Sequence, residues 1–80
     1  MQNKSDNYIL KRIGLSIRKE RIKQGITQAQ MAFELGTSTK QYQRIEYGEI
    51  NTGVLNIIKI CTILSVSVTE ILPKELFKSD

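Results

Sequence analysis

TQAQMAFELGTSTKQYQRIE, residues 27–46, opens twice in the same way. Thr27 stands three residues before Gln30, and Ser38 three before Gln41, each pair having the Ser/Thr-x-x-Glu/Gln form of a capping box. In such a box the first side chain accepts from an orphan backbone N–H, and the fourth reaches back to the cap's own N–H. Between the two starts, Leu35-Gly36 supplies a stop, because glycine takes the left-handed conformation that ends a helix sharply. Met31, Ala32 and Leu35 make one apolar face at helical spacing, and Tyr42 and Ile45 make a second. The pattern predicts two short helices joined by a tight turn. Helices this short are marginal alone, so the flanking chain must complete their core.

The flanks read as helices too. Residues 1–6 form a polar lead-in expected to be disordered, with Ser5 or Asp6 placed to cap a helix from about Tyr8 to Gln24. Leu10, Ile13, Gly14, Ile17 and Arg21 share one stripe of that helix. Gly14 in mid-helix costs roughly 1 kcal/mol against alanine, which points to another helix approaching closely there. Gly25 stops this first helix, and Tyr47-Gly48 stops the one that ends near Glu46. Thr52 is the expected cap of a fourth helix running to Leu64, with Val54, Ile57, Ile60, Cys61 and Leu64 on its inner face. Local preference conflicts here, since the β-branched residues of 57–69 favour strand. The sustained helical period decides for helix. Ser67 and Glu70 repeat the capping-box form ahead of a short fifth helix, Val68 to Leu72, which Pro73 closes. The fold class that follows is all-α: one compact five-helix bundle spanning residues 1–80.

Composition narrows the chemistry. Eighty residues with net charge +4 contain no histidine and one cysteine, Cys61, inside an apolar run. A lone thiol there reads as a small buried hydrophobe, which fits a reducing cytoplasm. No catalytic residues, metal ligands or cofactor are expected, and there is neither a signal peptide nor an unbroken apolar run long enough for a membrane. Residues 1–48 hold nine Lys/Arg against four Asp/Glu, while residues 49–80 hold three against four. The positive excess thus lies with the two-helix motif, as a phosphate-binding surface requires; a solvated basic helix face would look the same.

Thr27-Gln28, Met31-Ala32, Leu35-Gly36-Thr37-Ser38 and Arg44-Ile45-Glu46 resemble the helix-turn-helix of the Cro/CI-repressor (XRE-type) family. Gly14 and Ile17-Arg18 upstream, with Leu64-Ser65-Val66-Ser67 and Ile71-Leu72 downstream, extend the resemblance over most of the chain. It implies a lambda-repressor-like domain that binds double-stranded DNA and regulates transcription, with the helix at 38–47 lying in the major groove of a near-palindromic operator. By position it implies base contacts from Thr39, Lys40, Gln43 and Arg44, whose side chains suit the donor and acceptor pattern of base edges. Phosphate contacts are implied for Gln28, with Arg18, Ser38 and Tyr47 as plausible additions. Arg21 and Glu46 are expected to form a structural ion pair that orients the recognition helix. Tyr42 stands where the family usually has a smaller aliphatic residue, and its hydroxyl is expected to reach solvent or a phosphate. A homodimer is expected through Ile63, Val68, Ile71, Leu72, Leu76 and Phe77, with RNA polymerase or a cognate regulatory protein as further partners. The competing class is a protein-interaction module or antitoxin that keeps the fold with little specific DNA binding. Phage repressor, restriction–modification controller and antitoxin all remain open.

Overall fold

The computed structural model describes residues 4–74 as five helices: α1 (Lys4–Lys23), α2 (Gln28–Leu35), α3 (Thr39–Glu46), α4 (Val54–Leu64) and α5 (Val68–Ile71). No strand forms among the described residues, so the helical period of residues 54–64 prevails over their β-branched composition. Both expected starts of the central motif are present. Thr27 accepts from the Gln30 N–H at 3.0 Å while Gln30 Oε1 accepts from the Thr27 N–H at 2.8 Å. Ser38 accepts from the Gln41 N–H at 3.0 Å, but the Gln41 side chain does not complete the box among the described residues. Gly36 closes α2 in the left-handed conformation, φ 83°.

Three boundaries differ from the sequence reading. α1 begins at Lys4, so residues 4–6 are helical rather than a disordered lead-in, and Ser5 and Asp6 lie within the first turn instead of capping it. Asp6 favours that arrangement, since a negative charge in the first turn complements the helix dipole. The N-cap of α4 is Gly53 rather than Thr52. Thr52 Oγ1 instead accepts from Asn56 Nδ2 at 2.7 Å, which fixes the start of α4 through a side chain one turn on. α5 ends at Ile71, with Leu72 already extended ahead of Pro73. Its start is held by Glu70, whose carboxylate accepts from the Ser67 N–H at 2.8 Å.

The core lies where all five helices converge. Ile17, Met31, Tyr42, Ile60, Leu64 and Ile71 are its fully buried members, and Cys61 is buried beside them as an ordinary apolar side chain. Burial, with the Glu70 charge, raises the Cys61 thiol pKa and keeps it protonated. What positions α3 is a backbone contact. At Gly14 an added Cβ would overlap the Glu46 carbonyl oxygen and lie 2.8 Å from its carbon. Two residues past α3, Gly48 (φ 72°) lies against α1, where a Cβ would sit 2.7 Å from Lys11 Cα. Two glycines, one on each side, therefore let α1 press directly on the end of α3.

Gly14→Ala should consequently destabilise the fold. Helix propensity favours alanine by up to about 1 kcal/mol, but overpacking against a rigid carbonyl costs about 1–3 kcal/mol. Urea titration should give a lower midpoint; a raised one would mean that α1 and α3 separate freely.

Candidate nucleic-acid interface

The amphipathic pattern of α3 turns Tyr42, Ile45 and Glu46 inward and leaves Thr39, Lys40 and Arg44 exposed in one row. A glutamate on the inward face needs donors, and the structure supplies them. Arg21 donates from Nε to Glu46 Oε2 at 2.8 Å and from Nη2 to Oε1 at 2.9 Å, a bidentate pair across α1 and α3. Its third nitrogen, Nη1, donates to the Ile26 carbonyl at 2.8 Å and so ties in the turn before α2. Tyr42 donates its hydroxyl to Glu46 Oε2 at 2.5 Å. Tyr42 is wholly buried, which corrects the expectation that its hydroxyl reaches solvent or a phosphate. Its length over an aliphatic residue is used to satisfy the carboxylate.

These contacts fix the ionisation of the cluster. Burial alone would raise the Glu46 pKa, but the hydrogen bonds from Arg21, Tyr42 and Gln28 outweigh it and hold the pKa below the usual carboxylate value. Burial, reinforced by the bond to Glu46, pushes the Tyr42 phenol well above its usual range. The Arg21 pKa is raised by the hydrogen bond it gives to Glu46. Glu46 is thus an anion with its charge neutralised inside the fold, and it presents no net repulsion to a phosphate outside.

The remaining predicted residues fall into two groups. Gln28, half-buried at the start of α2, donates from Nε2 to Glu46 Oε1 at 3.1 Å. Gln43, also half-buried, donates from Nε2 to Gln28 Oε1 at 2.9 Å. The sequence reading assigned these two glutamines to separate tasks; the structure joins them. Arg18 lies 3.8 Å from Glu46 Oε1 with 46% of its side chain exposed, and it shares a shallow groove with Tyr47 and Lys11. Ser38 is exposed at the opposite end of α3, its oxygen accepting from the Gln41 N–H. Lys11 was not singled out from the sequence. The close approach demanded by Gly14 was its signal, since a helix crossing there brings the preceding turn of α1 beside Tyr47.

The apolar residues expected at a dimer contact behave differently. Ile71 is fully buried in its own core and is not available to a second copy, which corrects that expectation. Ile63 and Val68 are half-buried against the same core, Leu72 is half-buried, and Leu76 and Phe77 lie outside the described residues. α5 is amphipathic toward its own bundle, and a count of apolar residues could not distinguish that from a surplus. Of the exposed large apolar side chains, Phe33 (81%) stands on α2 and Leu15 and Ile22 (55% each) on α1, while Val54 (71%), Leu55 (70%) and Ile58 (47%) share α4.

The model of the helix-turn-helix domain matches residues 17–71, most of the chain. The chain belongs to the helix-turn-helix family. It is a DNA-binding transcriptional regulator of the XRE type, as the Cro/CI-like motif implied. Among solved structures, this helix-turn-helix protein is similar to the restriction-modification controller protein C.AhdI from Aeromonas hydrophila, with 27% identity and a TM-score of 0.77. That match covers 82% of this chain and 96% of the controller. It is also similar in fold to the clp gene regulator ClgR from Corynebacterium glutamicum, at 21% identity and a TM-score of 0.75, covering 79% of this chain and 82% of the other. Among curated proteins none matches the sequence. No helix among the described residues is long and apolar enough to cross a membrane.

Two outcomes follow for the buried pair. Arg21→Ala and Glu46→Ala should each cost roughly 3–5 kcal/mol, and the double variant much less than their sum, because each single change strands a buried partner. Additive losses in chemical denaturation would show the two charges to be independent. With the Glu46 pKa depressed in the folded state, its stabilisation is complete above the unfolded carboxylate pKa and is lost as pH falls through the folded value. The stability gap between wild type and Glu46→Gln should therefore be constant above about pH 5 and shrink in acid. A gap that holds unchanged in acid would contradict the assignment.

Proposed function

We propose that this regulator reads a near-palindromic operator as a homodimer, with α3 in the major groove and Thr39, Lys40, Gln43 and Arg44 facing base edges. The observation that carries the reading is the exposed row of Thr39, Lys40 and Arg44 on a helix whose opposite face is locked by a buried bidentate ion pair. Rigid placement matters because base readout depends on donor and acceptor geometry. Arg44 and Lys40 suit guanine O6 and N7, Gln43 suits adenine N6 and N7, and Thr39 suits a thymine methyl group.

Phosphates would be held at both ends of the motif. At the start of α2, Gln28 stands beside free backbone N–H groups and the positive end of the helix dipole. Beyond α3, Arg18, Tyr47 and Lys11 flank one groove, and at the opposite end of α3 Ser38 can donate its hydroxyl proton. These contacts set register and add salt dependence without selecting sequence. We place the dimer contact on the exposed face of α4, through Val54, Leu55 and Ile58, rather than on α5. Two-fold pairing of the family's domains sets two recognition helices about 34 Å apart, one DNA turn. The chain acts as a single binding domain in the cytoplasm, with no catalytic role, and an operator overlapping a promoter would bring it beside RNA polymerase.

The test is selection from randomised duplex DNA, with wild type, Lys40→Ala/Arg44→Ala and Leu55→Glu compared at one salt concentration. Wild type should enrich a near-palindrome, the double variant should lose it, and Leu55→Glu should sediment as a monomer and enrich at most a half-site. If wild type enriches nothing and binding only fades with salt, α3 is a scaffold for protein contacts instead.

A further inference from the structure

Three side chains form an unbroken series from the core to the DNA-facing side of α3. Glu46 Oε1 accepts from Gln28 Nε2 at 3.1 Å, and Gln28 Oε1 accepts from Gln43 Nε2 at 2.9 Å. We propose that Gln28 is a positioning residue that locks the amide of Gln43 in one orientation, so that the buried Glu46 carboxylate determines which base Gln43 prefers. The proposal rests on Gln43 being a base reader, as argued above.

The logic is one of donors and acceptors. An ionised carboxylate only accepts, so the end of Gln28 that faces Glu46 must be its NH2. The opposite end, its carbonyl oxygen, then faces Gln43 and is satisfied only by a donor. Gln43 must therefore turn its own NH2 inward. One of its N–H bonds is committed to Gln28, and the other remains beside its free carbonyl oxygen. An adjacent donor and acceptor match adenine, which accepts at N7 and donates from N6. Guanine presents acceptors at both N7 and O6, and the Gln43 oxygen would meet an acceptor there.

A solitary glutamine escapes such a mismatch by rotating its amide to offer its NH2 group. Here rotation of Gln43 would set two carbonyl oxygens against each other, and rotation of Gln28 would set a carbonyl against the carboxylate. Each also forfeits a half-buried hydrogen bond. The carboxylate cannot yield, because Arg21 and Tyr42 hold both of its oxygens. The three-membered series thus converts a residue tolerant of two bases into one that discriminates between them.

The experiment uses the duplex selected by wild type and the same duplex with adenine replaced by guanine at the position Gln43 reads. Gln43→Met identifies that position, as the one whose adenine preference disappears. Gln28→Met should weaken both duplexes, through its lost phosphate contact, and should also reduce the adenine-over-guanine ratio on the order of tenfold. The double variant should show no preference beyond that of Gln43→Met. Equal weakening of both duplexes by Gln28→Met, with the ratio intact, overturns the proposal and leaves Gln28 as a phosphate contact. If Gln43→Met changes preference nowhere, Gln43 is no base reader; the inference falls with that reading, and the fault lies at Gln43. A second measurement needs no variant. The side-chain amide protons of Gln28 and Gln43 should exchange with solvent more slowly than those of exposed Gln41, and equal exchange would overturn the locked arrangement.

Discussion

A single carboxylate, that of Glu46, governs the geometry of this protein. It is the last residue of α3, and its two oxygens collect donors from α1, α2 and α3 itself. Buried ion pairs are weak sources of net stability, because desolvation offsets most of the attraction. Their value here is directional. The planar guanidinium of Arg21 admits one docking geometry, so α3 can neither roll nor slide on α1 without stranding a charge. A hydrophobic replacement could be as stable and would still leave α3 less precisely aimed.

The steric framework serves the same end. Gly14 and Gly48 bring α1 into contact with the backbone of α3 and of the turn that follows it, which sets the distance over which Arg21 reaches Glu46. Thr27 and Ser38 fix where the two motif helices begin, and Gly36 fixes the angle between them. Packing places the helix, capping sets its register, and the ion pair sets its rotation. Each constraint is local in sequence or single-valued in geometry, and together they hold α3 in one pose.

Much of this was legible in the sequence, because caps, stops and apolar periods are local signals. Thr27/Gln30, Ser38 and Gly36 announced the motif, and Gly14 announced a close approach. The Arg21–Glu46 pairing was expected from resemblance, and the structure joins the two residues. What sequence could not carry was the destination of polar side chains at half-buried positions. Gln28 and Gln43 each have a plausible task alone, and nothing in their spacing shows that one bonds the other. Tyr42 presented the same difficulty: a phenol can point outward or inward, and only the position of Glu46 decides. The burial of Ile71 in α5 was hidden for another reason. Periodicity identifies a face, but which neighbour covers it depends on how the chain returns, and Ile71 returns to its own core.

The contact of Gly14 and Gly48 with their opposing backbones also bears on the order in which the molecule assembles. Both contacts join α1 to residues far along the chain, so they close a long loop that encompasses all of α2. α2 and α3 are close in sequence and pack on each other directly, so their contacts are local, whereas the contacts with α1 span a longer loop. During synthesis α1 emerges first and waits, unpartnered, until residues 45–48 have cleared the ribosome. The orientation of α3 on α1 is therefore set in the step that also completes the core. A folding intermediate that lacks the α1–α3 contact would carry the same positive charge and could cling to DNA, but it would have no register with which to read it.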